Sequence, residues 1–276
     1  MFDKEAIQAL QSGASIWQAS QAMNDAYSGS EIIGLPEDFK VHDLEKFMQN
    51  RRRPRGTMST SSIQSFTDYT LGHAEDGATV FIKPDSMTAT AVLNLGTPGS
   101  PGHTDNRAGL ELEATAAYCA LSTIATGTGQ SQQRIAEFLE DWVDAIKCFN
   151  SDGAIAPKNA VAAVRKITIE ALRKVESEEQ SLSASKSAFE AVSATSKEPI
   201  PTLVYFTCVP YTGLAERTFV MRLGVLTGGD KPSINLRIIK HEEHVQEMAD
   251  ELRGHLEAAF SGEAVACCIG SYAAAA

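Results

Sequence analysis

The chain has 276 residues, 43% of them hydrophobic, enough to build a sizeable core without the disulfides or metals that very small domains need, over one large or two ordinary domains. Its 24 basic and 35 acidic residues give a net charge of -11, which disfavours global attraction to nucleic acid or an anionic membrane and leaves such a partner only a local patch. No stretch approaches the roughly 18 apolar residues of a membrane span, and Met1-Phe2-Asp3-Lys4-Glu5 lacks the basic flank and apolar run of a secretory signal, so no membrane partner and a cytoplasmic location are expected.

Residues 1–34 read as an N-terminal helical arm, with Ile7, Leu10, Ala14 and Trp17 at helical spacing before the break at Ser28-Gly29-Ser30. An α+β body is expected over 35–150. It opens with a short helix at 42–49 that turns Leu44, Phe47 and Met48 inward, and a second short helix carries Ile63, Phe66, Tyr69 and Thr70. From 79 to 120 the pattern is β-like. Residues 80–82 and 87–95 flank Pro84-Asp85-Ser86, and Leu110, Leu112 and Ala114 alternate with Glu111 and Glu113, as a sheet with one wet face requires. Residues 96–107, rich in Gly and Pro, form a loop.

A continuous apolar stripe from Ile135 through Phe138, Leu139, Trp142, Val143 and Ile146 to Phe149 predicts one helix over 131–149. Residues 151–198 carry apolar positions at a mean spacing near 3.5, which fits one long helix or a helical hairpin broken near 178–183. Over 199–276 an antiparallel meander of three strands (203–209, 217–226, 233–240) precedes an amphipathic helix, 241–260. That helix presents Val245, Met248, Leu252, Leu256 and Phe260 to the meander, and 264–269 adds an edge strand. The fold class is therefore α+β: antiparallel sheets, a long central helix or hairpin and a C-terminal amphipathic helix. The segment 151–276 is free to pack with 35–150 as one domain.

The strongest charge anomaly is Arg51, Arg52, Arg53 and Arg55 within five residues, with Arg107 a further cation. Guanidinium groups fork onto phosphate or carboxylate, so this run is the candidate binding patch, for nucleic acid or for a protein surface, unless it pairs with the chain's own carboxylates. His103 and Asp105 share a glycine-rich loop, and Asp85 on the neighbouring hairpin is able to join them. Those three are the alternative catalytic set, for metal-assisted hydrolysis of a phosphoester, against the plainer reading that Asp105 and Asn106 shape the turn. His241-Glu242-Glu243-His244 fails the spacing of the zinc-protease signature and reads as a solvated helix start. The five cysteines, Cys119, Cys148, Cys208, Cys267 and Cys268, are odd in number without CxxC spacing and are expected as buried thiols. No metal site and no cofactor is expected.

The segments Val41-His-Asp-Leu-Glu-Lys-Phe-Met48, Arg52-Arg-Pro-Arg-Gly56, Ser65-Phe-Thr-Asp-Tyr69, Asp85-Ser-Met-Thr-Ala-Thr-Ala-Val92, Gly102-His-Thr-Asp-Asn-Arg-Ala108 and Ala136-Glu-Phe-Leu-Glu-Asp141 occur in this order. In them the chain resembles the YfdQ-like family, a phage and prophage group of uncharacterised function, from about residue 35 nearly to the end. The resemblance implies a protein made in an infected or lysogenic bacterial cell and supplies no catalytic residues. The resulting expectation is a non-enzymatic phage accessory protein that self-associates and binds a host or phage macromolecule.

Overall fold

Hydroxyl caps punctuate the described chain. Ser62, Thr115 and Ser131 each accept from the backbone N–H three residues on, at 3.2 Å, a contact that stabilises a helix start by about 1 kcal/mol. The computed structural model describes residues 45–167, 200–226 and 233–273, with isolated positions at 4, 12–14, 16–18 and 21. Contacts divide the chain into Met1–Pro54 and Arg55–Ala276, whereas the sequence reading places its first boundary at 34/35.

In the first unit Glu45–Phe47 forms a single 3-10 turn, closed by Met48 N–H on the Glu45 carbonyl at 3.0 Å. Phe47 and Met48 are 75% and 50% exposed, so the inward orientation expected of them does not occur.

The second unit runs β1 (Gly56–Thr60), α1 (Ile63–His73), β2 (Thr79–Lys83), a 3-10 turn (Pro84–Ser86), β3 (Thr88–Val92), β4 (Gly96–Thr97), β5 (Ser100–Pro101), β6 (Asn106–Glu111) and α2 (Ala116–Ile124). It continues with β7 (Gln130–Ser131), α3 (Gln132–Asp141), β8 (Ile146–Asn150), β9 (Gly153–Ile155) and α4 (Pro157–Arg165). After the undescribed 168–199, which hold most of the expected long helix or hairpin, come β10 (Leu203–Cys208), β11 (Arg217–Leu226), β12 (Ser233–Ile238), α5 (His241–Ala259) and β13 (Ala266–Ile269). The class is α+β.

One sheet has the order β1-β6-β3-β2-β13, with β1 and β13 parallel to their neighbours. The other has the order β7-β12-β11-β10-β8-β9, antiparallel throughout. In both an edge strand enters, a helix follows, a later strand returns beside the first and the chain leaves into another helix. In the second sheet, however, β9, α4 and residues 168–199 intervene between β8 and β10, and the returning strand is antiparallel to the first rather than parallel. Helix α1 packs on β1 and β6, while α2, α3 and α4 pack on β10, β12 and β8. Alternate strand positions supply the core beneath them. Ile146, Cys148, Val204, Phe206, Phe219, Met221, Leu223 and Leu236 are at most 3% exposed, and Phe206 stacks on Phe138 and meets Trp142 edge-on.

Four further expectations are corrected. The helix expected over 131–149 stops at Asp141. Ile146, Cys148 and Phe149 fit helical spacing, but their segment also alternates with period two, and pairing with β10 selects the strand. The β-like pattern does not reach 120, because Thr115 caps α2 there. The last helix does not lie on the meander that precedes it: α5 packs on β13, β2 and the Pro84–Ser86 turn of the first sheet, and β13 pairs with β2. The cysteines are not uniformly buried: Cys148 and Cys208 are, Cys267 is half-buried, and Cys119 and Cys268 are exposed.

Burial pushes the Cys148, Cys208 and Cys267 thiols up from 9.0 to about 11, which leaves a minute thiolate fraction at pH 8. Iodoacetamide applied to the native protein at that pH is expected to label Cys119 and Cys268 and to spare Cys148 and Cys208 until denaturant is added, as read by peptide mass spectrometry.

Candidate functional site

The residues singled out by sequence fall in separate places. Arg51, Arg52 and Arg53 belong to the first unit and Arg55 to the second; Arg51, Arg52 and Arg55 are exposed, and the Arg52 backbone N–H donates to Glu45 Oε1 at 3.0 Å. Arg107, half-buried on β6, donates from Nε to the Thr104 carbonyl at 2.8 Å.

Asp85 does not meet His103 and Asp105. It sits in the turn between β2 and β3, whereas those two lie in the loop beyond the opposite end of β3, about 17 Å of strand away. Asp105 holds that loop together: its Oδ1 accepts from Asn94 Nδ2 at 2.9 Å, and Asn94 Oδ1 accepts from the Asn106 backbone at 3.1 Å. The chain there is too close-packed for a side chain at residue 102, since a Cβ on Gly102 would come within 1.9 Å of the Asn94 carbonyl oxygen. His103 is exposed. Among the described residues no three His, Cys, Asp or Glu side chains are grouped to hold a metal ion.

What the fold does gather lies on the outer face of the second sheet. The register sets Lys147 opposite Tyr205 and Tyr205 opposite Val220. In the neighbouring row it sets Phe149 opposite Leu203, Leu203 opposite Arg222, and Arg222 opposite Arg237. Lys147, Arg222 and Arg237 are exposed, and the apolar side chains between them are half-buried. Phe149 and Tyr205 meet edge-to-face with centroids 4.8 Å apart. The other described outward positions on these strands are Thr207, Thr218, Gly224, Ser233 and Asn235, so no carboxylate shares the face.

Among the described residues none of the three cations is neutralised. Arg165, Arg217, Arg253 and Lys240 each pair with a carboxylate, but Lys147, Arg222 and Arg237 hold no ion pair or hydrogen bond through their side chains. Arg222 directly opposite Arg237 is itself unfavourable by a few tenths of a kcal/mol up to about 1 kcal/mol. From β8 to β12 the face spans three strand spacings, about 14 Å.

The sequence reading missed these residues because no two of the cations are neighbours in the chain. A usable signal existed: Ile146-Lys147-Cys148, Met221-Arg222-Leu223 and Leu236-Arg237-Ile238 each put a cation on the wet side of an alternating strand, in a chain whose surplus is acidic.

A cleft of about 490 Å³ opens beside this sheet, between the Pro84–Ser86 turn, the end of α2, Tyr211 and the start of α5. It contains Asp85, and burial, with Tyr211 as a lesser cause, pushes its Tyr118 hydroxyl up to about 12. Tyr211 is raised in turn, chiefly by burial. No described helix is long and apolar enough to cross a membrane.

A family model described as an uncharacterized conserved protein (DUF2303) matches residues 3–272. No curated protein and no solved structure matches the chain.

Proposed function

We propose that this chain, which belongs to the uncharacterized DUF2303 family, is a non-enzymatic binding protein that holds single-stranded nucleic acid on the outer face of its second sheet. One observation carries the reading: among the described residues, three unneutralised cations and an aromatic pair share a sheet face without carboxylates, in a chain of net charge -11. Strand-borne aromatics offer stacking platforms to unpaired bases while flanking guanidinium and ammonium groups meet the phosphates. A paired duplex keeps its base faces stacked inside and gives those rings nothing to bind. The acidic remainder repels polyanions elsewhere and confines them to this face.

The setting belongs to the same proposal. The resemblance to phage and prophage proteins supports an accessory role in the cytoplasm of a bacterial host, and self-association would align several such faces along one strand. Fluorescence anisotropy with a labelled single-stranded oligonucleotide tests the reading. Binding is expected at low salt, with a clear preference over the duplex of the same sequence, and is weakened by about 100-fold when Lys147, Arg222 and Arg237 are replaced by alanine. Equal binding by wild type and the triple variant would remove the face from the account.

A further inference from the structure

The cleft beside the sheet has its own chemistry. From it we infer that the chain binds a nucleoside monophosphate there, either free or as the terminal nucleotide of a strand. This goes beyond the strand-binding reading and stands or falls separately from it.

The volume, about 490 Å³, lies in the range of small-molecule sites. Its floor is apolar: Met87 and Met248 are each 1% exposed, and Ile238 and Tyr118 are each 6% exposed. Tyr211, half-buried, forms a wall with its ring 5.2 Å from that of Tyr118, so a flat base entering the cleft meets an aromatic surface. The rim is polar. Asp85, Arg237, His241 and Glu242 are exposed, and among the described residues none forms a side-chain hydrogen bond or ion pair.

Their chemistry divides by sign. The guanidinium of Arg237, assisted by His241, suits a phosphate, which it is able to grip through two parallel N–H donors. The carboxylates of Asp85 and Glu242 accept only, and so suit ribose hydroxyls or a base amino group. An inorganic anion would leave the carboxylates and the aromatic wall unused, and an uncharged nucleoside would leave Arg237 unused. The backbone agrees: of the three non-glycine residues with positive φ among the described ones, Met87 at 47° and Lys240 at 57° both line this cleft. Such conformations cost energy and concentrate at ligand sites. Arg237 also belongs to the cationic sheet face, which makes the cleft continuous with the path of a bound strand.

Equilibrium dialysis of the full chain against radiolabelled AMP, CMP, GMP and UMP tests the inference, with adenosine and inorganic phosphate as controls. Saturable binding of one mononucleotide per chain is expected, at least about tenfold tighter than either control. Tyr211→Ala is expected to weaken it at least about tenfold. Asp85→Asn, at an exposed position with no bond to lose, is expected to weaken it with the fold intact by circular dichroism. Lys147→Ala combined with Arg222→Ala should leave mononucleotide binding unchanged while strand binding falls, which separates this inference from the proposed function. A 5′-phosphorylated linear oligonucleotide that binds more tightly than its closed circle, and is competed by mononucleotide, identifies the strand end as the source; equal binding of the two identifies the free nucleotide. Absence of saturable binding by any mononucleotide, or binding unaltered in both Tyr211→Ala and Asp85→Asn, overturns the inference.

Discussion

Replacing Glu251 by alanine is expected to destabilise the 55–276 unit by about 3 kcal/mol, a fall of roughly 6–12 °C in melting temperature for a unit of this size. Arg217, at the start of β11, carries a side chain only 16% exposed, and its closest partner is Glu251 on α5. Glu247 stands further off at 3.4 Å and is itself 63% exposed, so it replaces little of the lost interaction. The other Glu251 oxygen accepts the Ala215 backbone N–H at 2.6 Å. Removing the carboxylate therefore strands a mostly buried guanidinium, whose Nε already lacks a partner among the described residues, together with a backbone donor, and both are desolvated without compensation. The bond also ties a helix that packs on the first sheet to a strand of the second, so its loss loosens the join between layers. Thermal unfolding followed by circular dichroism reads the effect. Glu251→Gln, which keeps an acceptor for Ala215, is expected to fall between wild type and Glu251→Ala. Wild-type stability in Glu251→Ala would mean that the clamp contributes nothing to holding the layers.

The second large effect is on binding. Lys147→Ala, Arg222→Ala and Arg237→Ala together are expected to weaken single-stranded oligonucleotide binding by about 100-fold near 0.1 M salt, since three phosphate contacts are lost at once. Stability should hold or rise slightly, because the opposition of Arg222 and Arg237 is relieved. Phe149→Leu and Tyr205→Leu weaken binding with little change in salt dependence, as loss of stacking rather than of charge requires.

Where a period was unambiguous, the sequence carried the architecture. The alternation of 203–209, 217–226 and 233–240 became β10, β11 and β12, and the stripe over 241–260 became α5. The failures have physical causes. Residues 142–149 satisfy both helical and strand periods, and only the partner strand β10 decides between them. Gly56–Thr60 is short, polar and at a sheet edge, so nothing local announces that it pairs with β6 from fifty residues away. Helix α5 has a legible apolar face but carries no mark of which sheet it covers; β13, which follows it, goes to β2. The kinship of the two sheets is one of connection, without repeated residues.

The candidate site was legible only in its ingredients. The run at 51–55 stood out because its charges are adjacent in the chain, yet it straddles the division between units. Lys147, Arg222 and Arg237 became a patch only once three strands were laid side by side. Asp85 was singled out for the wrong company: the hairpin carries it away from His103 and Asp105 and into the cleft with Tyr211 and Arg237.

The most direct test is the salt dependence of single-stranded oligonucleotide binding, measured in parallel for wild type and the Lys147, Arg222, Arg237 triple variant. Three phosphate contacts predict that the slope of log affinity against log salt is shallower by about 2 in the variant. Identical slopes, or no binding by wild type at low salt, would contradict the assignment of this sheet face to nucleic acid.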